Sequence, residues 1–341
     1  MILHGGSAAI ILRGTALFRF LAPLLLLITM QAFANGYVDH AGYAAFEKRM
    51  VEDHGFTPQQ LREWFGAAER KDTILEAISR PAERRLSWGE YRKIFITPAR
   101  VDGGIAFWRA NAADLERAGA TYGVAPEVII AIIGVETRYG TNMGSYRVID
   151  ALATLAFDYP PRSEFFTREL EQFLVMVREQ GFDVLSLRGS YAGAMGMGQF
   201  IPSSFRAYAV DFDGDGRADI WSSRADAIGS VANYFKSHGW EHGAPVVVRA
   251  RVVGRVMKER MNPGLDPVVA VSELAALGIA PKRALDAGER VLPLMLEADS
   301  GPEYWLGLHN FNVITRYNRS ALYAMAVHQL SQAIRAGYER P

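Results

Sequence analysis

The chain has no cysteine in 341 residues. Disulfides, thiol chemistry, cysteine-bound zinc and a lipid on an N-terminal cysteine are all excluded. It has no excess of either charge: 37 basic residues balance 37 acidic ones. That balance gives no support to nucleic acid or an anionic membrane as partner. Its seven histidines are scattered, without the spacing of a zinc site. It carries no Gly-Lys-Ser or Gly-Lys-Thr phosphate loop. Beyond the N-terminus, no apolar run approaches the length of a membrane span.

What is present is the composition of a globular protein, with 50% apolar and 22% charged residues. Neutrality with 14 Tyr and 6 Trp suits a polymer recognised by stacking and hydrogen bonding, such as a glycan. Arg13 and Arg19 precede the apolar run Phe20 to Ile28, followed by Ala32-Phe33-Ala34. Positive, apolar, then small-x-small is the order of an export signal, with cleavage expected after Ala34. An uncleaved anchor is the alternative.

Short amphipathic helices are expected from Gly42 to Ala118, with Thr57-Pro58 opening one and Asp72 another. Trp88 to Tyr91 interrupts the helical pattern, which resumes over 106–118. Tyr122 to Pro126 breaks the chain and launches an apolar helix. Further helices are expected over 164–180, 202–210, 224–238 and 319–336. Strands are expected over 246–252, where β-branched residues concentrate, and over 291–296 and 304–313, which read similarly.

Glu136 stands at the end of the apolar run Val128 to Val135, where another aliphatic would fit. Burying an unpaired carboxylate disfavours its charged form, so the group finds a partner or its pKa rises. A carboxyl kept protonated near neutrality is what a general acid requires. The alternatives are a side chain turned to solvent, or one satisfied by Arg138. Glycoside cleavage normally uses two carboxylates, and no partner lies near Glu136 in sequence.

The segment Asp211-Phe212-Asp213-Gly214-Asp215-Gly216-Arg217-Ala218-Asp219 has carboxylates at loop positions 1, 3, 5 and 9, with Gly at position 6. This is the spacing of an EF-hand calcium loop, in which oxygens wrap a hard cation. Arg217 offers only its carbonyl, and Ser222 replaces the usual Glu at position 12. Either Asp219 or Asp226 is left to complete the site. An Asp-Gly turn with capping Asp residues is the bland alternative, and four Asp at alternating positions favour a metal. One loop rather than a pair points to a structural Ca2+ and not a sensor. From Gly189 to Gly198 the chain is rich in Gly and Ala, which lets the backbone approach a substrate strand or a helix closely. Ser190 within it has no evident His and Asp partners.

Gly-Val-Glu-Thr-x-Tyr-Gly, Ala-Gly-Ala-Met-Gly-x-Gly-Gln-Phe-x-Pro-Ser-Ser and Asp-Phe-Asp-Gly-Asp-Gly together resemble the membrane-bound lytic transglycosylase B family. Ala227 to Phe235 and Thr315 to Ser320 extend the match, which runs from about Tyr37 to Ala336. The resemblance implies a periplasmic enzyme that cleaves the β-1,4 bond between N-acetylmuramic acid and N-acetylglucosamine in peptidoglycan, leaving 1,6-anhydro ends. It implies a mainly α (α+β) fold: a goose-type lysozyme-like core with a helical domain and a small β-containing domain. The expected segments are a signal at 1–34, an N-terminal helical domain at 37–110 and a core at 111–243 with the calcium loop at 211–226. A β insertion at 244–303 and a returning C-terminal segment at 304–336 complete the chain. Glu136 matches the family's single catalytic acid. Tyr91, Ser190, Gln199, Tyr234, Tyr317, Asn318 and Tyr323 match residues that line its saccharide groove. Asp211, Asp213, Asp215, Arg217 and Asp226 match its metal loop. No cofactor is implied for catalysis. Peptidoglycan strands are the expected partner, a monomer the expected state, and other wall-synthesis or turnover proteins stay open as partners. Members named for membrane attachment carry an acylated Cys after the signal, so no lipid anchor is expected here. A lysozyme-type hydrolase and a non-catalytic peptidoglycan-binding protein are the rival readings.

Overall fold

The structure is a computed structural model that describes residues 36–79 and 86–340. The export signal read over 1–34 lies outside the described residues. Helices come first: α1 (Tyr43–Glu52), α2 (Pro58–Ala67) and α3 (Asp72–Ser79). Thr57 opens α2 with a reciprocal capping box to Gln60 and Pro at the first helical position, as its sequence predicts. The expected interruption at Trp88 to Tyr91 is instead the first turn of α4 (Trp88–Phe95). Ser87 and Glu90 form a second capping box there, so Gly89 is held inside a helix by the cap. The helical pattern expected over 106–118 falls on two helices, α5 (Pro98–Ala110) and α6 (Ala112–Tyr122), broken at Asn111, whose side chain caps the Phe107 carbonyl at 2.7 Å.

Gly123, at φ 74°, ends α6, and Pro126 opens α7 (Pro126–Thr137). Every residue of α7 from Glu127 to Val135 is buried. A helix that is apolar all round belongs inside a protein, and α5, α6, α11 and α13 enclose it. Each fully buried aliphatic adds about 2 kcal/mol of burial free energy. Glu127, its one buried acid before the end, is neutralised by Arg335 at 3.2 Å.

After α7 come β1 (Tyr146–Arg147), α8 (Val148–Asp158), α9 (Ser163–Gln180), β2 (Arg188–Gly189), α10 (Pro202–Tyr208) and α11 (Arg224–Ser237). Strands β1 and β2 pair antiparallel beside the Gly-rich segment. A five-stranded antiparallel sheet follows, built from β3 (Val247–Val252), β4 (Val269–Ala270), β5 (Ile279–Pro281), β6 (Arg290–Ala298) and β7 (Gly301–Gly307) in the order β4-β6-β7-β3-β5. The chain ends in α12 (His309–Tyr317) and α13 (Ala321–Tyr338). The strand expected over 304–313 therefore stops at Gly307, and its second half is helix. Asn310 explains the switch: buried, it bonds the backbone of Glu241 and Ala244, while Phe311 packs where a Gly307 side chain would stand.

Three apolar clusters result. One surrounds α7 and draws on residues 88–143, 197–246 and 292–334. A second joins α1 to α3 with α8, α9 and α10. The third underlies the sheet. Residues 37–110, read from the sequence as one unit, are thus divided between two clusters. Among the described residues, no single helix is long and apolar enough to cross a membrane.

Candidate active site

The carboxyl of Glu136 is delivered by the last turn of α7, and that turn is held from three sides. Arg138 and Tyr139 follow at φ 52° and 62°, a left-handed pair in which the Arg138 N–H bonds the Gly134 carbonyl and the Tyr139 N–H that of Ile133. Two non-glycine residues with positive φ carry a strain cost, and such strain gathers at functional sites. Tyr139 supports it by donating its hydroxyl to the Arg100 carbonyl at 2.6 Å. Its ring lies over Gly134, where a Cβ would meet it at 2.6 Å. Arg100 in turn donates to the Gly134 carbonyl at 2.5 Å. Thr137, fully buried, donates to the Met197 carbonyl at 2.8 Å and accepts from the Gly140 N–H. The helix end is thereby tied to the Gly-rich segment.

Glu136 is half-buried and bonded within the protein, neither fully turned to solvent nor paired with Arg138. Its Oε1 accepts a 2.6 Å hydrogen bond from the Tyr323 hydroxyl on α13, and Arg138 is exposed with no bond to it. Burial pushes the Glu136 carboxyl up to about 7, with the Tyr323 bond acting in the opposite sense. Tyr323 and Tyr317 are themselves pushed well up, by burial first and then by the Glu136 charge. Tyr91, also raised by burial, feels the same charge. Glu136, Tyr91, Tyr317 and Tyr323 therefore form one group, from α7, α4, α12 and α13. Among the described residues, no second carboxylate acts on Glu136.

An aromatic wall continues from it. Tyr317 donates to the Gly198 carbonyl at 2.5 Å, an approach that Gly198 permits because a Cβ there would stand 2.9 Å from that hydroxyl. Tyr234 meets Tyr317 edge-on at 4.7 Å between ring centres and donates to the Arg316 carbonyl at 2.7 Å. Gln199, next to Gly198, holds φ 52° and spends its amide on the Met143 and Gly196 carbonyls. The small residues of this segment thus meet protein neighbours closely. Ser190 accepts the N–H groups of Ala192 and Ala194. Asn318 is exposed in the link between α12 and α13. Among the described residues neither makes a hydrogen bond to the Glu136 group.

Away from this group lies the acidic loop. Asp211, Asp213 and Asp226 each offer an oxygen, all within 4.8 Å of one another. Asp226 is fully buried and accepts the N–H groups of Phe212 at 2.7 Å, Asp213 at 3.2 Å and Asp219 at 2.7 Å. Asp219 is engaged elsewhere, by Trp221, Ser222 and Arg217. Asp226 and not Asp219 therefore converges with the loop, while Asp215 and Arg217 lie outside that trio. Three carboxylates with no nitrogen or sulfur donor are the chemistry of a hard cation.

Residues 39–332 match the transglycosylase SLT domain family. The chain is 48% identical over 298 residues, 85% of this chain and 81% of the relative, to membrane-bound lytic murein transglycosylase B of Escherichia coli (strain K12). It belongs to the lytic murein transglycosylase B family. Among solved structures, this transglycosylase is similar to soluble lytic transglycosylase SltB1 of Pseudomonas aeruginosa, at 54% identity and a TM-score of 0.85, covering 88% of this chain and 100% of that one. It is also similar to the Escherichia coli lytic transglycosylase Slt35, solved in complex with calcium, at 45% identity and a TM-score of 0.84, covering 92% and 99%. The mainly α (α+β) class agrees with these neighbours. The transglycosylase cleaves the bond between N-acetylmuramic acid and N-acetylglucosamine in peptidoglycan and forms anhydro ends.

Three supports of this site carry no assignment from the sequence alone: Arg100, Thr137 and Tyr139. Arg100 gives no local signal, since its partner Gly134 is 34 residues away. Thr137 and Tyr139 were within view in the Glu-Thr-x-Tyr-Gly motif, and their spacing about a helix end was the available clue.

Proposed function

We propose that Glu136 is the sole acid and base of this lytic transglycosylase. The observation that carries the proposal is one half-buried carboxyl whose pKa desolvation raises to about 7, with no carboxylate acting on it among the described residues. Protonated Glu136 gives its proton to the glycosidic oxygen as the bond to C1 of the muramic ring breaks. The substrate's own N-acetyl oxygen shields the positive charge that develops there. Glu136, now a carboxylate held by Tyr323, takes the proton of the C6 hydroxyl. The freed O6 then bonds to C1, and no water enters the products. Tyr91, Ser190, Gln199, Tyr234, Tyr317, Asn318 and Tyr323 line the glycan groove in this reading, with aromatic faces against sugar rings.

Asp211, Asp213 and Asp226 would hold a structural Ca2+, which supplies no chemistry to the reaction and fastens the loop to α11. Slt35 in complex with calcium supports this choice of ion. The N-terminal pattern ending at Ala34 supports export to the periplasm, the compartment of the substrate.

Mass spectrometry of fragments released from purified peptidoglycan tests the reading. Anhydro ends are lighter by one water than the products of a lysozyme-type hydrolase. Glu136→Gln should release nothing while still binding strands, and release of muropeptides by that variant would remove Glu136 from its role.

A further inference from the structure

Beside the Glu136 group lies a cavity of about 570 Å³, lined by Ile94, Ala99, Arg100, Gly103, Arg138 and Tyr139 among others. The helices that form the site also wall this space. Tyr91 of α4 feels the Glu136 charge and Ile94 sits one turn further along the same helix; Arg138 follows Glu136 by two residues. Among the described residues, neither Arg100 nor Arg138 pairs with an acid. Arg138 is exposed and its guanidinium makes no ion pair among the described residues, whereas Arg49, Arg147 and Arg206 each sit on a carboxylate. Arg100 is only 9% exposed, and its bonds run to the Gly134 and Val135 carbonyls, not to an acid. Burial, and then the charge of Arg138, pushes Arg100 below its ordinary value. Two guanidinium groups held near one another in a partly apolar space are stabilised by an anion that can bridge or approach both.

We propose that this cavity takes a carboxylate of the peptide borne by the glycan strand, with Arg138 as its main contact and Arg100 behind it. The inference rests on the peptidoglycan reading of the Glu136 site. In peptidoglycan the peptide hangs from N-acetylmuramic acid, the sugar whose C1 reacts, so it must leave the groove close to Glu136. Ile94, Ala99 and the Tyr139 ring give such a peptide an apolar wall beside its charged end. Arg138 is then a specificity residue: it makes the enzyme favour strands that carry peptides over bare glycan.

The test compares kcat/KM on peptide-bearing strands with kcat/KM on the same strands stripped of peptides by an amidase, with Glu136→Gln run in parallel. The parent enzyme should favour peptide-bearing strands. Arg138→Gln should lose about tenfold on them, the size of one charge-assisted hydrogen bond, and several-fold less on stripped strands. Arg138→Lys should recover part of that loss. An equal loss on both substrates would mean that Arg138 only supports the Glu136 turn, and no loss on either would empty the cavity of its role; both overturn the proposal. Activity of Glu136→Gln would instead overturn the reading of the catalytic site and leave the Arg138 comparison legible. Melting curves of each variant separate misfolding from lost recognition.

Discussion

Keeping a carboxyl protonated near neutrality costs folding stability in a pH window that the geometry fixes. In the unfolded chain Glu136 ionises near 4.5, and in the fold only near 7. Below about pH 4.5 both states hold the proton and the residue costs nothing through ionisation. Between those two values the unfolded chain gives up its proton while the folded one keeps it, so stability falls as pH rises. Above about 7 both are ionised and the loss is complete. Each tenfold change in proton affinity is worth about 1.4 kcal/mol, so the full loss is about 3 kcal/mol, and solvent entering the groove brings it nearer 2. Glu136→Gln cannot ionise and escapes the loss. Urea unfolding of both proteins at pH 4.5 and pH 8 therefore gives similar stabilities at the lower pH and a variant more stable by about 2 to 3 kcal/mol at the higher one. Taking the difference cancels every other titrating group. Parallel stability across that range would refute the claim that burial holds the proton on Glu136, and with it the basis for assigning the acid.

Tyr323→Phe removes the one hydrogen bond that favours the Glu136 carboxylate. The alkaline limb of kcat/KM, set by loss of the acid's proton near pH 7, should move up by about one pH unit, since a bond to a charged group is worth about 1.5 kcal/mol or more; a pH–rate profile checks it. Asp226→Ala strands three backbone N–H groups, two of them bonded at 2.7 Å, and should cost about 3 kcal/mol or more by denaturant titration. Added calcium should raise the melting temperature of the parent protein and leave that of the variant unchanged. Gly134→Ala sets a methyl against the Tyr139 ring, which stands 2.6 Å from the Cβ position. It should lower stability by about 1–3 kcal/mol and reduce turnover by shifting the Glu136 turn, measurable as a fall in kcat larger than any change in KM.

Much of this site lay open in the sequence because its signals are local. An apolar run broken by one carboxylate, a Pro at the head of the helix and alternating Asp residues each declare themselves within a dozen positions. The supports do not. Tyr323 reaches Glu136 across 187 residues, and only the family resemblance pointed to it. Arg100 was invisible for the same reason: what marks it is a carbonyl on another helix. The expected strand over 304–313 stopped at Gly307, because a run of aromatic and apolar residues reads alike in a strand and in a helix whose buried face is fixed by distant backbone groups. The choice between Asp219 and Asp226 needed the fold as well, since only there is Asp219 seen to be occupied by the turn that follows it.

Desolvation at Glu136 does two jobs that are one in physical terms. It raises the carboxyl's pKa, and it removes the partners that a nucleophilic water would need. A held water requires two to four polar contacts. Three of the tyrosine hydroxyls around the carboxyl are already given away: Tyr323 to Glu136 itself, Tyr317 to the Gly198 carbonyl, Tyr234 to the Arg316 carbonyl. Gln199 has likewise committed its amide protons to two backbone carbonyls. With those donors already bonded within the protein, a water at C1 would have few polar groups to hold it. The O6 of the same sugar needs no such holding, because it is attached to the ring it attacks and loses little freedom in doing so. Hydrolysis in this setting would require a second carboxylate to orient and activate water, and among the described residues none acts on Glu136. Under the proposed role of Glu136, the same desolvation that keeps the proton on the acid would therefore also favour ring closure over hydrolysis.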